Sequence, residues 1–306
     1  MVLTMKKFLI TGAAGALGRA LIEELRKNDP VAAFAVLDLD KELMQKHIAG
    51  AAAMELYDLK DFESGAIDFS GVDSIVHCAF ARSQAGSALA QSIDFTRRIF
   101  EFAAAAGVKR VINISSQSVY GNYRPTASSE KSPVDPHDLY GVAKYSCEKI
   151  GEVIFAGKTT QLINVRMASL VGLPYPERII NKMVKFALAG NKIKIVGGSQ
   201  LFSFLHIEDA ACALALLAGT PVENLQGLYN LGTAECYDIN KLAAVIAETI
   251  ETKTGRGIAI ETEYADVKYS IPLDVAAFTR DLQWNARIAL PQIVSEIVDA
   301  QLAAGN

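Results

Sequence analysis

The stretch Thr11-Gly12-Ala13-Ala14-Gly15-Ala16-Leu17-Gly18 is the strongest indication of the fold, because it joins an apolar strand-like segment to an amphipathic helical one. Residues 8–10 form a short apolar run, and residues 15–27 repeat apolar side chains at the spacing of one helix face. Glycines at such a junction permit a tight turn and let backbone N–H groups approach a pyrophosphate at the positive end of the helix dipole. The pattern therefore predicts the cradle of a dinucleotide. The residues expected to line this cradle are Gly12, Ala14, Gly15, Ala16, Leu17 and Gly18.

Apolar strand-like segments and helical segments alternate through the first half of the chain. Continuous apolar runs of strand length predict strands that are buried on both faces, and the segments between them have helical periodicity. The predicted strands cover residues 7–10, 33–37, 53–56, 72–78, 110–114 and 161–165, and the main predicted helices cover residues 15–27, 85–106 and 139–155. This alternation predicts an α/β fold, a doubly wound parallel Rossmann sheet with helices on both faces.

The alternating pattern loosens after residue 168, which predicts a second, smaller unit. Helical segments are expected at residues 179–189, 206–218, 239–250 and 290–302, with short strands at 228–231 and 258–261. We expect residues 1–168 to form an NAD-binding Rossmann domain, with residues 200–236 packing back onto it. Residues 169–199 and 237–306 are expected to form a C-terminal α/β substrate-binding lobe over the carboxyl edge of the sheet.

An acidic residue stands at the end of the second predicted strand. Asp38 follows Gly18 by 20 residues. A carboxylate at this place accepts hydrogen bonds from the adenosine ribose hydroxyls and repels a 2′-phosphate. Asp38 is therefore predicted to bind the cofactor and to select NAD over NADP.

A tyrosine and a lysine lie four residues apart in the helix predicted at residues 139–155. Tyr140 and Lys144 would therefore sit one above the other on one helix face. A nearby ammonium group favours the phenolate and lowers the pKa of the phenol, which suits general acid–base work on a hydroxyl or carbonyl group. Together with the dinucleotide cradle, this pair predicts an enzyme that transfers a hydride.

The ordered set of motifs resembles the extended short-chain dehydrogenases/reductases, and within them the nucleotide-sugar epimerase/dehydratase group. The resemblance covers nearly the whole chain. The matching segments are residues 11–18, Asp58-Leu59, His77-Cys78-Ala79, residues 114–121, the pair Tyr140 and Lys144, residues 204–210 and Asp281-Leu282-Gln283-Trp284.

The resemblance implies a role for each matching residue. It implies that Tyr140 exchanges a proton with a substrate oxygen, that Lys144 binds the nicotinamide ribose, and that Ser116 hydrogen-bonds the same substrate oxygen. Further cofactor contacts are implied for Asp58, Leu59, Cys78, Ala79, Phe80, Ile114, Tyr140 and Lys144. Substrate contacts are expected for Arg82, Ser118, Arg166 and Ser169. The resemblance also implies a homodimer joined by the helices at residues 85–106 and 140–155.

Departures from the family pattern bear on the substrate. Gln117 and Ser118 replace the acidic pair that 4,6-dehydratases use to expel water, which disfavours that elimination. Phe202 stands where nucleotide-sugar epimerases carry an arginine that clamps the diphosphate, and Ser169 replaces an asparagine. Charge-assisted contacts to phosphate are strong, so their loss counts against a nucleotide sugar. Basic residues that could replace them from new positions are Lys182, Lys185, Arg178 and Lys268.

Three functions are open at this point. The first is an NAD-dependent oxidoreductase or epimerase of a nucleotide sugar, either a 4-epimerase or a 4-keto reductase. The second is an NAD-dependent dehydrogenase or reductase of a substrate without a nucleotide, such as a free sugar, a uronate or another alcohol. The third is a dinucleotide sensor without activity, and the presence of Ser116, Tyr140 and Lys144 argues against it.

The overall composition bears on the remaining classes of protein. A net charge of −4 predicts no basic surface for nucleic acid or an anionic membrane, and no apolar run approaches the roughly 18 residues of a membrane span. The four cysteines are scattered, which predicts neither disulfides nor zinc and favours the reducing cytoplasm. Four histidines without acidic residues at ligand spacing predict no metal site. The expected partner is a small-molecule substrate.

Overall fold

Seven parallel strands form the central sheet of the computed structural model, which describes residues 5–221, 223 and 225–304. In chain order the strands are β1 (Lys7–Thr11), β2 (Ala33–Leu37), β3 (Glu55–Tyr57), β4 (Ser74–His77), β5 (Arg110–Ser116), β6 (Gln161–Met167) and β11 (Leu228–Leu231). They lie side by side in the order β11-β6-β5-β4-β1-β2-β3. Every neighbouring pair is parallel, which confirms the predicted doubly wound sheet.

Helices cover both faces of the sheet, because successive strand residues point to opposite faces. In β1, Phe8 and Ile10 belong to the hydrophobic core on one face, whereas Leu9 belongs to the core on the other. The first face is covered by α1 (Ala16–Asn28), α2 (Lys41–His47) and α7 (Ile207–Gly219), and the second by α3 (Leu59–Ser64), α4 (Gly86–Ala106) and α5 (Leu139–Ile154).

A third hydrophobic core is built by the C-terminal half of the chain. Its helices are α6 (Ile179–Leu188), α8 (Ile239–Thr254) and α10 (Leu290–Ala304). Short strand pairs complete this part, namely β7 (Ser169–Val171) with β10 (Phe204–His206), β8 (Ile193–Val196) with β13 (Ile260–Glu263), and β9 (Leu201–Phe202) with β12 (Tyr237–Asp238). Phe278 of α9 (Ala276–Leu282) and Trp284 pack in the hydrophobic core on the first face of the central sheet, although residues 237–306 were expected to form the substrate-binding lobe. The predicted domain boundaries stay a prediction.

The third strand begins two residues later than predicted. Residues 53–56 were expected to be extended, but Ala51–Ala53 form a turn of 3-10 helix and the strand begins at Glu55. Two short helices that we did not predict, α2 and α3, begin at side-chain caps. Asp40 accepts hydrogen bonds from the first backbone N–H groups of α2, and Asp58 does the same for α3. Such caps satisfy backbone donors that have no partner inside the helix.

The carboxyl ends of the central strands meet at one edge of the sheet, where a buried histidine joins them. The Nδ1 atom of His77 lies 2.7 Å from Oγ1 of Thr11, and its Nε2 atom lies 2.9 Å from Oγ1 of Thr96 in α4. Burial lowers the pKa of His77 to about 3, so the ring is neutral and serves as a structural link. Across the described residues, no helix has the length and apolar character needed to cross a membrane.

Candidate active site

The glycine-rich turn between β1 and α1 packs too closely for side chains. Gly12 has a φ of +68°, and a Cβ atom there would lie 2.8 Å from the backbone nitrogen of Ala79. A Cβ atom on Gly18 would lie 2.3 Å from the carbonyl oxygen of Gly12. Gly15 is the N-cap residue of α1, and no described side chain caps this helix start, which leaves its first N–H groups for an anion. The turn therefore fits a pyrophosphate.

The carboxylate of Asp38 is fixed beside this turn. It accepts hydrogen bonds from the backbone N–H groups of Ala14 at 2.8 Å and Leu39 at 2.7 Å. Ala16 and Leu17 form the first turn of α1, which directly follows the glycine-rich turn in the sequence. A carboxylate has lone pairs beyond these two bonds, so Asp38 can still accept hydrogen bonds from ribose hydroxyls. Its placement fits the predicted role.

Asp58 has a structural task that the sequence did not reveal. Its Oδ1 atom accepts hydrogen bonds from the N–H groups of Lys60 at 2.9 Å and Asp61 at 3.0 Å, and the Asp61 side chain accepts from Asp58 N–H in return. This reciprocal pair is a capping box that starts α3. Leu59 is half-buried in the first turn of that helix. Contacts of Asp58 and Leu59 with the adenosine part of a cofactor stay a prediction.

Cys78 and Ala79 follow β4 and lie against the glycine-rich turn. The N–H group of Ala79 donates to Oγ1 of Thr11 at 3.2 Å, at the end of β1. Burial raises the pKa of the Cys78 thiol to about 12, against the opposing effect of Lys144, so this cysteine is a neutral thiol. Cys78 therefore lines the site as a neutral side chain and does not act as a nucleophile.

Lys144 is buried in α5 and contacts two of the predicted cofactor residues. Its side chain is 4% exposed. Its Nζ atom donates a hydrogen bond to the carbonyl oxygen of Ile114 at 2.6 Å and lies 3.8 Å from the centre of the Phe80 ring. Burial lowers the pKa of Lys144 to about 8. Both contacts hold the ammonium group at the carboxyl end of β5.

Tyr140 lies one helical turn before Lys144, edge-on to Phe80. The ring centres of Tyr140 and Phe80 are 5.9 Å apart, with 82° between the ring planes. Burial raises the pKa of the Tyr140 phenol, and the positive charges of Arg82 and Arg178 act in the opposite direction. The ammonium group of Lys144 donates to a backbone carbonyl and lies 5.8 Å from the centre of the phenol ring, and its expected lowering of the Tyr140 pKa stays a prediction.

Ser116 ends β5 and begins a turn of 3-10 helix at Gln117–Tyr120. Its Oγ atom accepts a hydrogen bond from Ser118 N–H at 3.1 Å. A Cβ atom on Gly141 would lie 2.7 Å from the Ser118 carbonyl oxygen, so the start of α5 packs directly on this turn. The structure thus brings Ser116 and Ser118 beside the helical turn that carries Tyr140.

Arg166 belongs to a buried polar cluster at the end of β5 and β6. It is 3% exposed, and its guanidinium donates to the Glu148 carboxylate through Nε at 3.0 Å and Nη2 at 2.7 Å. The same carboxylate accepts a hydrogen bond from the Ser115 hydroxyl. The guanidinium carbon of Arg166 also lies 4.8 Å from the centre of the Tyr120 ring. This pairing gives Arg166 a structural role, and its expected contact with substrate stays a prediction.

A cavity of about 610 Å³ opens where residues of the sheet edge meet residues of the C-terminal half. Arg82 and Ser169, both expected to bind substrate, line it. Ser169 Oγ accepts a hydrogen bond from Gln117 Nε2 at 3.0 Å, which connects the cavity wall to the turn that follows Ser116. Phe202 also lines the cavity, and its ring lies parallel to Phe204 with 5.7 Å between centres. An aromatic stack thus stands where the resemblance places a phosphate-binding arginine.

Two further residues of the cavity wall carry no sequence motif. Arg178 precedes α6, and Tyr269 lies in the loop before α9. From the sequence, Arg178 is one of four basic residues that could replace the missing phosphate-binding arginine, and Tyr269 has no predicted role. No spacing in the sequence indicates that Arg178 shares a cavity with Arg82, because 96 residues separate them.

Comparisons with known proteins agree with this geometry. The profile of the NAD dependent epimerase/dehydratase family matches residues 8–232. A dTDP-D-glucose 4,6-dehydratase of Dictyostelium discoideum is 26% identical over 260 residues, covering 76% of this chain and 59% of that protein. A uronate dehydrogenase of Pseudomonas syringae pv. tomato is 28% identical over 183 residues, covering 59% of this chain and 65% of that protein. The matched region thus spans less than two thirds of either relative.

The fold also matches solved structures. A mutant of the UDP-glucuronic acid 4-epimerase of Bacillus cereus, in complex with a fluorinated UDP-glucuronic acid and NAD, superposes with a TM-score of 0.79. The match covers 97% of this chain and 99% of that chain at 21% sequence identity. At this identity the likeness shows the shared fold.

Proposed function

Because the chain belongs to the NAD dependent epimerase/dehydratase family, we propose that it transfers a hydride between NAD and a sugar carbon that bears a hydroxyl or carbonyl oxygen. The observation that carries this proposal is the buried Lys144, held at the end of β5 one helical turn after Tyr140. A dinucleotide fits the same edge, because Gly12 and Gly18 leave room for a pyrophosphate and Asp38 stands beside them.

The placement of the residues supports the following roles. NAD, when bound, supplies an acceptor for the hydride. Tyr140 would take the proton of the substrate hydroxyl during oxidation and return it to the carbonyl oxygen during reduction. Ser116 would hold that oxygen in place, and Lys144 would bind ribose hydroxyls through its ammonium group. Asp38 would favour NAD over NADP, because its charge repels a 2′-phosphate.

The first candidate substrate is a nucleotide sugar, with the enzyme acting as a 4-epimerase or a 4-keto reductase. The family and the named relatives support it. Dehydration is disfavoured, because Gln117 donates to Ser169 and no carboxylic acid occupies that position. The second candidate is a sugar or another alcohol without a nucleotide, and the stack of Phe202 on Phe204 favours it, since no arginine clamp stands there.

Turnover assays separate these candidates. The protein is incubated with UDP-, GDP- and dTDP-sugars and with free sugars and uronates, first with sub-stoichiometric NAD and then with NAD in excess. An isomerised sugar without accumulating NADH would identify an epimerase, whereas stoichiometric NADH would identify a dehydrogenase. An absence of turnover with every class would contradict the proposal.

We also propose that the protein is a cytoplasmic homodimer. Helices α4 and α5 pack side by side, and α5 exposes Leu139, Val142 and Val153. Two copies of this pair would form a four-helix bundle and cover those side chains. Four free cysteines suit a reducing compartment. Light scattering at micromolar concentration tests the dimer, and cell fractionation tests the location.

A further inference from the structure

We infer that Arg82 and Arg178 form an anion-binding subsite in the cavity, and that the substrate is a sugar acid whose carboxylate occupies it. This inference rests on the proposed function and names the substrate class. Arg82 lies in the segment after β4, and Arg178 directly precedes α6. Both line the same cavity of about 610 Å³.

Neither arginine has an acidic partner among the described residues. The buried Arg166, by contrast, is matched by Glu148, and the exposed Arg97 by Asp94 and Glu101. The Nε–H group of Arg178 is buried without a hydrogen-bond acceptor in the described chain. A buried donor of a charged group without an acceptor is unfavourable, so this position calls for a ligand that accepts hydrogen bonds.

The two positive charges also lie close together. Arg82 and Arg178 line the same cavity, and burial together with the charge of Arg82 lowers the pKa of Arg178 to about 10. The acidic groups nearby are already occupied, since Glu177 pairs with Lys182 at 2.9 Å and Asp138 caps α5 through Gly141 N–H at 2.6 Å. A bound anion would relieve the repulsion between the two arginines.

The start of α6 adds to the preference for an anion. Arg178 is the N-cap residue of this helix, and no described side chain caps its first N–H groups. Ile179, the first residue of the helix, lines the cavity too. Free N–H groups at the positive end of a helix dipole favour a carboxylate or a phosphate.

The position of the subsite favours a carboxylate on the reacting sugar over a distant diphosphate. Arg82 follows Phe80 by two residues, and the Phe80 ring lies edge-on to Tyr140 with 5.9 Å between ring centres, so the anion would bind close to the reacting carbon. The positive charges of both arginines also act to lower the pKa of the Tyr140 phenol. The wall at Phe202 and Tyr269 is aromatic, with 5.8 Å between the ring centres. The third cation of the described lining, Lys194, is exposed on β8. A planar guanidinium can bind both oxygens of a carboxylate at once.

Calorimetry with the NADH-loaded protein tests the inference, because NADH cannot oxidise an alcohol. The probes are glucuronate and glucose, and UDP-glucuronate and UDP-glucose. We expect the acid of each pair to bind on the order of 10- to 100-fold more tightly than its neutral counterpart. Arg178→Gln and Arg82→Gln should remove this preference, whereas Lys194→Met, the matched control, should keep it. Thermal unfolding of each variant verifies that it is folded.

Each other outcome has a defined meaning. Equal binding of acid and neutral probes by the wild type would overturn the carboxylate subsite. If Arg178→Gln weakens UDP-glucose and UDP-glucuronate equally, the arginines bind the diphosphate and the sugar-acid assignment is wrong. Acid-selective binding without any NAD-dependent turnover would contradict the proposed function and leave the subsite standing.

Discussion

Replacing Glu148 with alanine is expected to lower the free energy of unfolding by about 3–5 kcal/mol. The side chains of Glu148 and Arg166 are only 2% and 4% exposed. The substitution removes two charge-assisted hydrogen bonds, of 3.0 Å and 2.7 Å, and leaves a guanidinium in the core without an opposite charge. It also removes the acceptor of the Ser115 hydroxyl. The cost arises mainly from the unpaired buried charge and not from the lost attraction.

Urea-induced unfolding followed by circular dichroism measures this change. The matched control is Glu152→Ala in the same helix, because Glu152 is 51% exposed and pairs with Lys149 on the surface. That change should stay within about 0.5 kcal/mol of the wild type. The double variant Glu148→Leu with Arg166→Met should recover much of the lost stability, since it buries no charge. A Glu148→Ala variant as stable as the control, or a double variant no better than the single one, would refute the reasoning.

Gly18→Ala is expected to weaken NAD binding by at least roughly 10-fold in calorimetry, because the added Cβ atom would lie 2.3 Å from the Gly12 carbonyl oxygen. The control Gly86→Ala should bind NAD normally, because no atom lies within 4 Å of the Cβ atom that it adds. Similar affinities for both variants would contradict the tight packing of the turn. Between pH 8 and 10.5 the unfolded chain binds more protons at Lys144 than the folded chain does, so this residue makes stability rise with pH over that window. Lys144→Met should reduce the rise in the urea midpoint, and an unchanged rise would contradict the lowered pKa. Asp38→Ser should shift the ratio of kcat/KM values toward NADP by roughly 10-fold or more, and a constant ratio would show that Asp38 does not select the cofactor.

Most of the central sheet could be predicted because strands such as β1, β2 and β4 consist mainly of short apolar runs that are buried on both faces. Residues 33–37 were predicted as a strand and form β2 with the same bounds. The strand expected at 72–78 is shorter, Ser74–His77. The bounds of a strand depend on pairing with its neighbours, and the composition of the strand alone does not contain that information.

The C-terminal half was harder to predict, because its strand pairs are very short and join distant segments. β9 has two residues and pairs with β12, which begins 36 residues later at Tyr237. Two-residue strands have no periodicity that sequence analysis could detect. The caps at Asp40 and Asp58 were not predicted, because the short helices that they begin have too few residues to display an apolar face.

The candidate site likewise combines features that could be predicted from the sequence with features that could not. The glycine turn and the pair Tyr140 and Lys144 could be predicted, because each depends on residues a few positions apart. The surroundings of Arg166 and Arg178 could not, because burial and tertiary contacts decide whether an arginine is paired inside the protein or lines a cavity. The pKa of Tyr140 likewise depends on two arginines brought together only by the fold.

The most direct test of hydride transfer with tyrosine acid–base chemistry compares wild-type protein and Tyr140→Phe. The measurement is kcat/KM for NAD-dependent turnover of the best substrate found in the panel, together with the calorimetric Kd for NAD. We expect kcat/KM to fall by on the order of 10²- to 10⁴-fold, with the Kd for NAD unchanged. A Tyr140→Phe variant that keeps wild-type turnover would contradict the proposed chemistry.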